Sequence, residues 1–230
     1  SGRWNKCSAF RGKVLLNPEG HQKILEEGPW LDKDTRNSMG QKVVEGAKKV
    51  GYSGLATFEF LRDSNGEFYF LEVNPRVQVE HTVTEQLTGF DLVSLGIRVA
   101  SGESIGISQG QIKLTGHAIQ VRINAEKPAD FSPAPGRLWE CLLPSGPGIR
   151  VDSHACSGYS MPRCFDSLLA KIISHGRDRE EAISRLDAAL RETVLDGVDT
   201  LIPLHRKILQ EPNFLNRNVS ISYLEDHNFG

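Results

Sequence analysis

The sequence predicts an α+β protein in two successive parts. Three observations carry that expectation. In the first half, two aromatic-rich segments flank an Asn-Gly pair, the pattern of a β-hairpin. In both halves, segments with apolar residues at helical spacing follow capping residues. After residue 112, short strands divided by Pro/Gly clusters lead into a capped helix, which predicts an antiparallel sheet with helices.

Residues 1–20 read as irregular, closed by Pro18 and Gly20. Asp34 is placed to cap a helix over 35–50, with Met39, Val43, Val44, Ala47 and Val50 on one face and Gly51 to stop it. Residues 55–61 (LATFEFL) and 67–73 (EFYFLEV) read as strands, with Asn65-Gly66 as the centre of a two-residue type I′ turn. A helix is predicted over 91–100 with Leu92, Val93, Leu95, Ile97 and Val99 buried. The polar stretch 101–111 reads as a linker, so the chain divides into parts 1–112 and 113–230. Strands are predicted at 117–123, 137–143, 149–154 and 168–174. Asp178 then caps a helix whose stripe is Ala182, Ile183, Leu186, Ala189 and Leu190. Pro203 opens a shorter helix to Leu209, and the tail 220–230 reads as partly helical.

Composition narrows the function. Lys and Arg number 27 against 29 Asp and Glu, a formal net charge of −2, which argues against a general nucleic-acid binder. No apolar run approaches the roughly 20 residues that a membrane span needs. The first residues lack the apolar block of a secretory signal. Cys7, Cys141, Cys156 and Cys164 form no C-x-x-C pair and read as reduced thiols. No two of the 22 glycines are adjacent, and a G-x-x-x-x-G-K-[ST] phosphate loop is absent.

The hairpin carries the chemistry. A two-residue loop at Asn65-Gly66 sets Glu59 opposite Glu72 and Thr57 opposite Asn74 on one face. Phe58, Phe60, Leu71 and Val73 take the other face. Opposed carboxylates repel by roughly 0.2–1 kcal/mol. A hard divalent cation such as Mg²⁺ would offset that, often together with nucleotide phosphates. The alternative is that both acids face water, or that the register slips. Beyond them Arg76, Gln78 and Glu80 alternate with Val77 and Val79, so an extended segment presents one polar stripe from Glu72 to Glu80. An arginine and an amide can hold a small anion, and a carboxylate beside them can act as a general base. A solvated edge strand is the competing reading. Arg122 alternates with Ile119, Val121 and Ile123 and so faces away from them, toward a site or simply toward the surface.

Residues 67–81, EFYFLEVNPRVQVEH, resemble the signature of the biotin carboxylases, members of the ATP-grasp superfamily. HQKILEE at 21–27, GHAIQVRINAE at 116–126 and FDSLLAK at 165–171 are similar to further blocks of that family, in the family's order. The resemblance implies that 1–112 is the carboxyl-terminal part of an ATP-grasp domain and 113–230 the biotin carboxylase C-terminal domain. It implies ATP-dependent carboxylation of biotin by bicarbonate through carboxyphosphate. The cofactors would be ATP, Mg²⁺ or Mn²⁺, and biotin carried on a partner domain.

Residue by residue, Glu59, Glu72 and Asn74 match the metal site, with the two glutamates also facing the nucleotide phosphates. Arg76, Gln78 and the Val79 backbone match the bicarbonate clamp, and Glu80 matches the base that deprotonates bicarbonate. Lys23 matches a residue near bicarbonate or the γ-phosphate, while His21, Leu61 and Leu71 match positions around the adenine. Arg122 matches the arginine that stabilises the biotin enolate, with Asp166 close by. Arg150 and the 146–148 turn match a region of the homodimer in bacterial members.

The partners implied are a biotin carboxyl carrier domain, a carboxyltransferase component, the missing N-terminal part and a second copy, with no nucleic acid and no membrane. The setting implied is the cytoplasm, or the mitochondrial matrix in a eukaryote. Family members are longer: an amino-terminal domain and a glycine-rich phosphate lid have no counterpart here, so the isolated chain is expected not to carboxylate biotin. Asn74-Pro75-Arg76 and His81-Thr82-Val83-Thr84 lean toward pyruvate-carboxylase-like or acyl-CoA carboxylase relatives. The alternatives are another ATP-grasp ligase, such as a carbamoyl-phosphate or peptide ligase, and a non-catalytic dimerisation or scaffold module of the same fold.

Overall fold

A computed structural model of the chain describes residues 14–16, 23–63, 65–220, 222–227 and 229. In chain order, strands β1 (Val14–Leu16) and β2 (Leu25–Gly28) precede helix α1 (Lys33–Lys49). Strands β3 (Thr57–Arg62) and β4 (Phe68–Asn74) follow, then helices α2 (His81–Thr88) and α3 (Leu92–Ala100). After a 3₁₀ turn at Gln109–Gln111 come strands β5 (His117–Asn124), β6 (Glu140–Leu142), β7 (Ile149–Ser153) and β8 (Leu168–Gly176). Helix α4 (Arg179–Glu192), strand β9 (Val194–Asp196) and helices α5 (Ile202–Gln210), α6 (Pro212–Leu215) and α7 (Tyr223–Asp226) complete the described elements. The class is α+β, as the sequence predicts. Among the described residues no helix is long and apolar enough to cross a membrane. Cys141, Cys156 and Cys164 are free, and Cys7 lies outside the described residues.

The chain forms two compact units, and Pro29–Thr115 belongs to the first. Helix α1 is capped by Asp32 rather than Asp34: Asp32 Oδ1 accepts the amides of Asp34 (3.0 Å) and Thr35 (2.9 Å). Asp34 falls instead in the first turn, where a negative charge suits the helix dipole. Ala47 is buried and Met39, Val43 and Val44 half-buried, but Val50 is the C-cap residue and 79% exposed.

The β3–β4 hairpin reaches its predicted pairing by an unpredicted route. Its loop is one residue wider than a two-residue turn, because Asp63 N–H donates to Glu67 O (3.0 Å) and Gly66 N–H to Asp63 O (3.1 Å). Asp63 Oδ1 also accepts the amides of Asn65 and Glu67, both at 2.9 Å, which favours the wider loop. Gly66 takes φ +88°, the left-handed position that closes a three-residue loop. Arg62 therefore faces Phe68 and Phe60 faces Phe70. A β-bulge between Glu59 and Phe60 then leaves Leu71 as the extra residue and restores Glu59 opposite Glu72 and Thr57 opposite Asn74. Phe70, not Leu71, thus joins the apolar face: the Phe60 and Phe70 rings meet edge-on at 5.8 Å. With Phe58 and the α1 residues Lys42, Val43 and Gly46 they line a cavity of about 270 Å³.

Helix α2 is absent from the predicted elements. Thr82, Val83, Thr84, Glu85 and Leu87 are all buried, so neither a clean apolar stripe nor a good helix former announces it. Gly89 ends it at φ +73°. Asp91 caps α3 by accepting Ser94 N–H (2.7 Å), and Glu85 Oε1 accepts Leu92 N–H (2.7 Å). Only Leu92 of the expected apolar set is buried, while Ile97 is 66% exposed. The helix is apolar on most sides but is packed on one.

The second unit joins the β1–β2 hairpin to Gly116–Gly230. Its sheet runs β1-β2-β5-β8-β7, antiparallel throughout. Residues 14–16 are therefore a strand within a stretch expected to be irregular; the rest of 1–20 lies outside the described residues. The predicted strand 137–143 shrinks to β6, which leaves the main sheet to pair with β9. Asp178 caps α4 as expected, accepting Glu181 N–H at 2.8 Å. Ala182, Leu186, Ala189 and Leu190 of α4 pack with Ile119, Val121, Ile123 and Ile172 of the sheet and with Leu204, Ile208 and Leu209 of α5.

Candidate active site

The first unit gathers a carboxylate cluster on β3–β4. Asn74 Nδ2 donates to Glu72 Oε1 (2.7 Å) and Glu59 Oε1 (3.2 Å), and Gln78 Nε2 donates to Glu59 Oε1 (3.1 Å). One amide thus bridges two opposed acids and offsets part of their repulsion. Glu59 is half-buried and Glu72 exposed. Gln78 is 7% exposed, and its Oε1 is buried without a hydrogen-bond partner.

The extended stripe ends early. Pro75 has no N–H to continue the ladder, and Arg76 N–H turns back onto Asn74 O (2.9 Å). His81 N–H then donates to Gln78 O (3.1 Å), opening α2 with Glu80 at its N-cap position. Arg76, Gln78 and Glu80 consequently do not share a strand face. Arg76 is exposed, with Nη1 on Val77 O (3.3 Å), whereas Glu80 is buried at 3% exposure. Val79 is half-buried, and Leu61 and Leu71 are exposed on the hairpin.

The second unit holds Arg122, Asp166 and Lys23. Arg122 is not a surface arginine: every residue of β5 is buried, and Arg122 is 6% exposed. Its Nε (2.8 Å) and Nη2 (2.5 Å) both meet Glu26 Oε1, and Gln120 Nε2 donates to Glu26 Oε2 (2.8 Å). Across the sheet Arg122 faces Lys171, whose Nζ lies 3.2 Å from Asp152 Oδ2, and Asp152 also takes Arg150 Nε at 2.8 Å. Burial would raise the Asp152 carboxyl, but hydrogen bonds and charge from Arg150 and Lys171 hold it below its ordinary value. The neighbouring strands β2, β5, β8 and β7 thus carry Glu26, Arg122, Lys171, and Asp152 with Arg150. Lys23 is half-buried two residues before β2, and His21 lies outside the described residues.

A β-bulge between Ile123 and Asn124 sets Asn124 opposite Leu168, at the start of β8. Asn124 Nδ2 donates to Glu126 Oε1 (3.0 Å) and Ser167 Oγ (3.2 Å), and Ser167 Oγ donates to Glu126 Oε1. This tie holds the turn that presents Asp166, whose Oδ1 accepts Leu168 N–H (2.9 Å).

The opposite face of β2 carries a separate ion cluster. Glu27 is buried with His117 Nε2 at 2.9 Å and with Arg179 Nε and Nη2 at 2.8 and 3.0 Å. Burial would raise the Glu27 carboxyl, but hydrogen bonds from His117 and Arg179 and their charge lower it instead. Sequence reasoning passes over Glu26 and Glu27, because Leu-Glu-Glu-Gly has neither strand alternation nor β-branched residues. The alternation of Gln120 and Arg122 with Ile119, Val121 and Ile123 on a wholly buried strand is the signal that such partners exist.

Comparison with known proteins covers both units. The family described as "Carbamoyl-phosphate synthase L chain, ATP binding domain" matches residues 14–108, and "Biotin carboxylase C-terminal domain" matches 120–226. The chain is 49% identical over 211 residues to the biotin carboxylase of a Nostoc species, covering 90% of this chain and 47% of that one. It is 47% identical over 207 residues to the biotin carboxylase of Haemophilus influenzae, covering 89% of this chain and 46% of that one. The biotin carboxylase domain of Hydrogenobacter thermophilus 2-oxoglutarate carboxylase, solved with MgADP, ADP and bicarbonate, superposes with a TM-score of 0.92 at 38% identity. That match covers 95% of this chain and 49% of the other. The chain spans about half the length of the curated relatives it matches.

Proposed function

Because the chain belongs to the biotin carboxylase family, we propose that it forms the carboxyl-terminal portion of the biotin carboxylase domain of an enzyme that uses ATP and bicarbonate to carboxylate biotin. The observation that carries this reading is the hairpin cluster: Glu59 and Glu72 opposed in register and bridged by Asn74, with Gln78 reaching Glu59. In this reading residues 1–112 belong to the ATP-grasp domain and 113–230 to the biotin carboxylase C-terminal domain.

The donor set fits a divalent cation. Mg²⁺ commonly takes one or two carboxylates and completes its shell with water and substrate phosphates. With two opposed carboxylates on offer, the pair suits a metal shared with a nucleotide better than a structural one. Glu59 and Glu72 would hold Mg²⁺ or Mn²⁺, with Asn74 beside them. When bound, the metal would supply positive charge against the nucleotide phosphates.

This chain's residues would do the rest. The exposed Arg76 guanidinium and the Gln78 amide, with the Val79 backbone, would hold bicarbonate. Glu80 would take its proton, as a base shielded from bulk water. Lys23 would lie near bicarbonate or the γ-phosphate, and His21, Leu61 and Leu71 around the adenine. The orphaned Gln78 Oε1 supports a ligand in this region, since a buried acceptor without a donor costs about 1–3 kcal/mol. Arg122, with Asp166 near it, would stabilise the biotin enolate by a fixed positive charge. Biotin would arrive on a carrier domain and leave carboxylated for a carboxyltransferase. Dimerisation near Arg150 and an acyl-CoA or pyruvate acceptor complete the proposal.

The test is ATP cleavage by the intact enzyme, with bicarbonate and free biotin each present or withheld. Cleavage should require bicarbonate and rise with biotin, and Glu80→Gln should lower it by about 100-fold or more, the usual contribution of a general base. ATP cleavage indifferent to both substrates would overturn the reading.

A further inference from the structure

Building on the biotin-binding reading above, we propose that Glu26 is the positioning residue for Arg122. Glu26 is fully buried on β2, in register with Gln120. Its Oε1 receives Nε and Nη2 of Arg122 at 2.8 and 2.5 Å, and its Oε2 receives Gln120 Nε2 at 2.8 Å. Both carboxylate oxygens are therefore engaged, and two of the five guanidinium donors are committed to one edge. The backbone of Arg122 is pinned as well. Its N–H donates to Ile24 O (2.9 Å), and its carbonyl accepts Nε2 of the buried His205 (2.8 Å).

This fixation does not follow from stability alone. A buried ion pair gives up hydration on both partners and is often no more stable than an apolar pair of the same volume. What it supplies here is orientation. An arginine that must meet a developing anion acts best when it does not have to reorganise at that moment. Glu26 holds the Nε edge and so sets the plane in which the rest of the guanidinium points.

Steady-state kinetics of the intact enzyme test this. Glu26→Gln should lower kcat/KM for biotin by about 100-fold, the scale expected for misplacing a reacting group by an ångström. Bicarbonate-dependent ATP cleavage without biotin should stay within about twofold, because Arg122 serves biotin alone. Glu26→Asp keeps the buried charge and shortens the reach by one methylene. It should fold normally and lose biotin turnover in the same direction, covering the case in which Glu26→Gln does not fold.

In an Arg122→Ala background Glu26→Gln should add less than about twofold, because it acts through the absent guanidinium. Unchanged biotin kinetics in both Glu26 variants, or a full multiplicative loss in the Arg122→Ala background, overturns the inference. Wild-type turnover indifferent to biotin overturns the functional reading, and this inference with it.

Discussion

His205 shows how one residue ties stability to pH in this chain. It is fully buried, and Nε2–H donates to Arg122 O at 2.8 Å, while Nδ1 has no hydrogen-bond partner. Burial pushes its pKa from 6.5 down to about 4, although the bond to Arg122 acts the other way. The ring is therefore neutral in the folded chain. Unfolding exposes it to an ordinary pKa, so its contribution is fully present above 6.5 and is lost as pH falls from there toward about 4. A glutamine can keep the Nε donor without titrating. The stability advantage of wild type over His205→Gln should thus shrink by roughly 3 kcal/mol between pH 7 and pH 4, measured by urea unfolding at each pH. A gap independent of pH would contradict a buried neutral imidazole.

The hairpin of β3 and β4 sets the site's geometry as an element, because its register decides whether Glu59 and Glu72 meet. Two irregularities cancel: a loop wider by one residue and a bulge at Leu71. Gly66 permits the first, at φ +88°. A Cβ there would lie 3.3 Å from Arg62 Nη2, the far end of a flexible side chain, so most of the penalty is backbone strain. Gly66→Ala should destabilise the hairpin by about 1–2 kcal/mol. Hydrogen exchange should then speed up in β3 and β4 and not in β5 or β8; equal acceleration in both would tie the loop to global stability instead.

The pairing of Glu59 with Glu72 was legible from alternation and the Asn-Gly signal, because an error of one in the loop was compensated by the bulge. The course after Asn74 was not. Val77 and Val79 give strand-like alternation, but Pro75 removes a ladder donor and the chain turns into α2. Nor was β2, since its two glutamates serve buried arginines on opposite faces of the sheet, and a local pattern holds no record of a partner 96 or 152 positions away.

Across the whole molecule the two units differ in how they bury their apolar residues. In the second, β5 is covered on both faces, and α4 and α5 close over a core of Ile119, Val121, Ile123, Ile172, Leu186 and Ile208. In the first, Leu61, Tyr69, Phe70, Leu71, Val93 and Ile97 are exposed, and the described hairpin is a ribbon of two strands. Such ribbons are at best marginal without further strands or a helix packed on them. Opening free energy follows buried apolar contact and protected backbone. Native-state hydrogen exchange of the chain should therefore find its slowest amides in β5 and β8. Those of β3 and β4 should exchange through openings that cost less than global unfolding. Rising urea should lower protection in β3 and β4 first, with an apolar dye bound before the second unit melts. Slowest exchange in β3 and β4, or simultaneous loss of protection in both units at all urea concentrations, would show that the carboxylate cluster stands on a ribbon as stable as the sheet that holds Arg122.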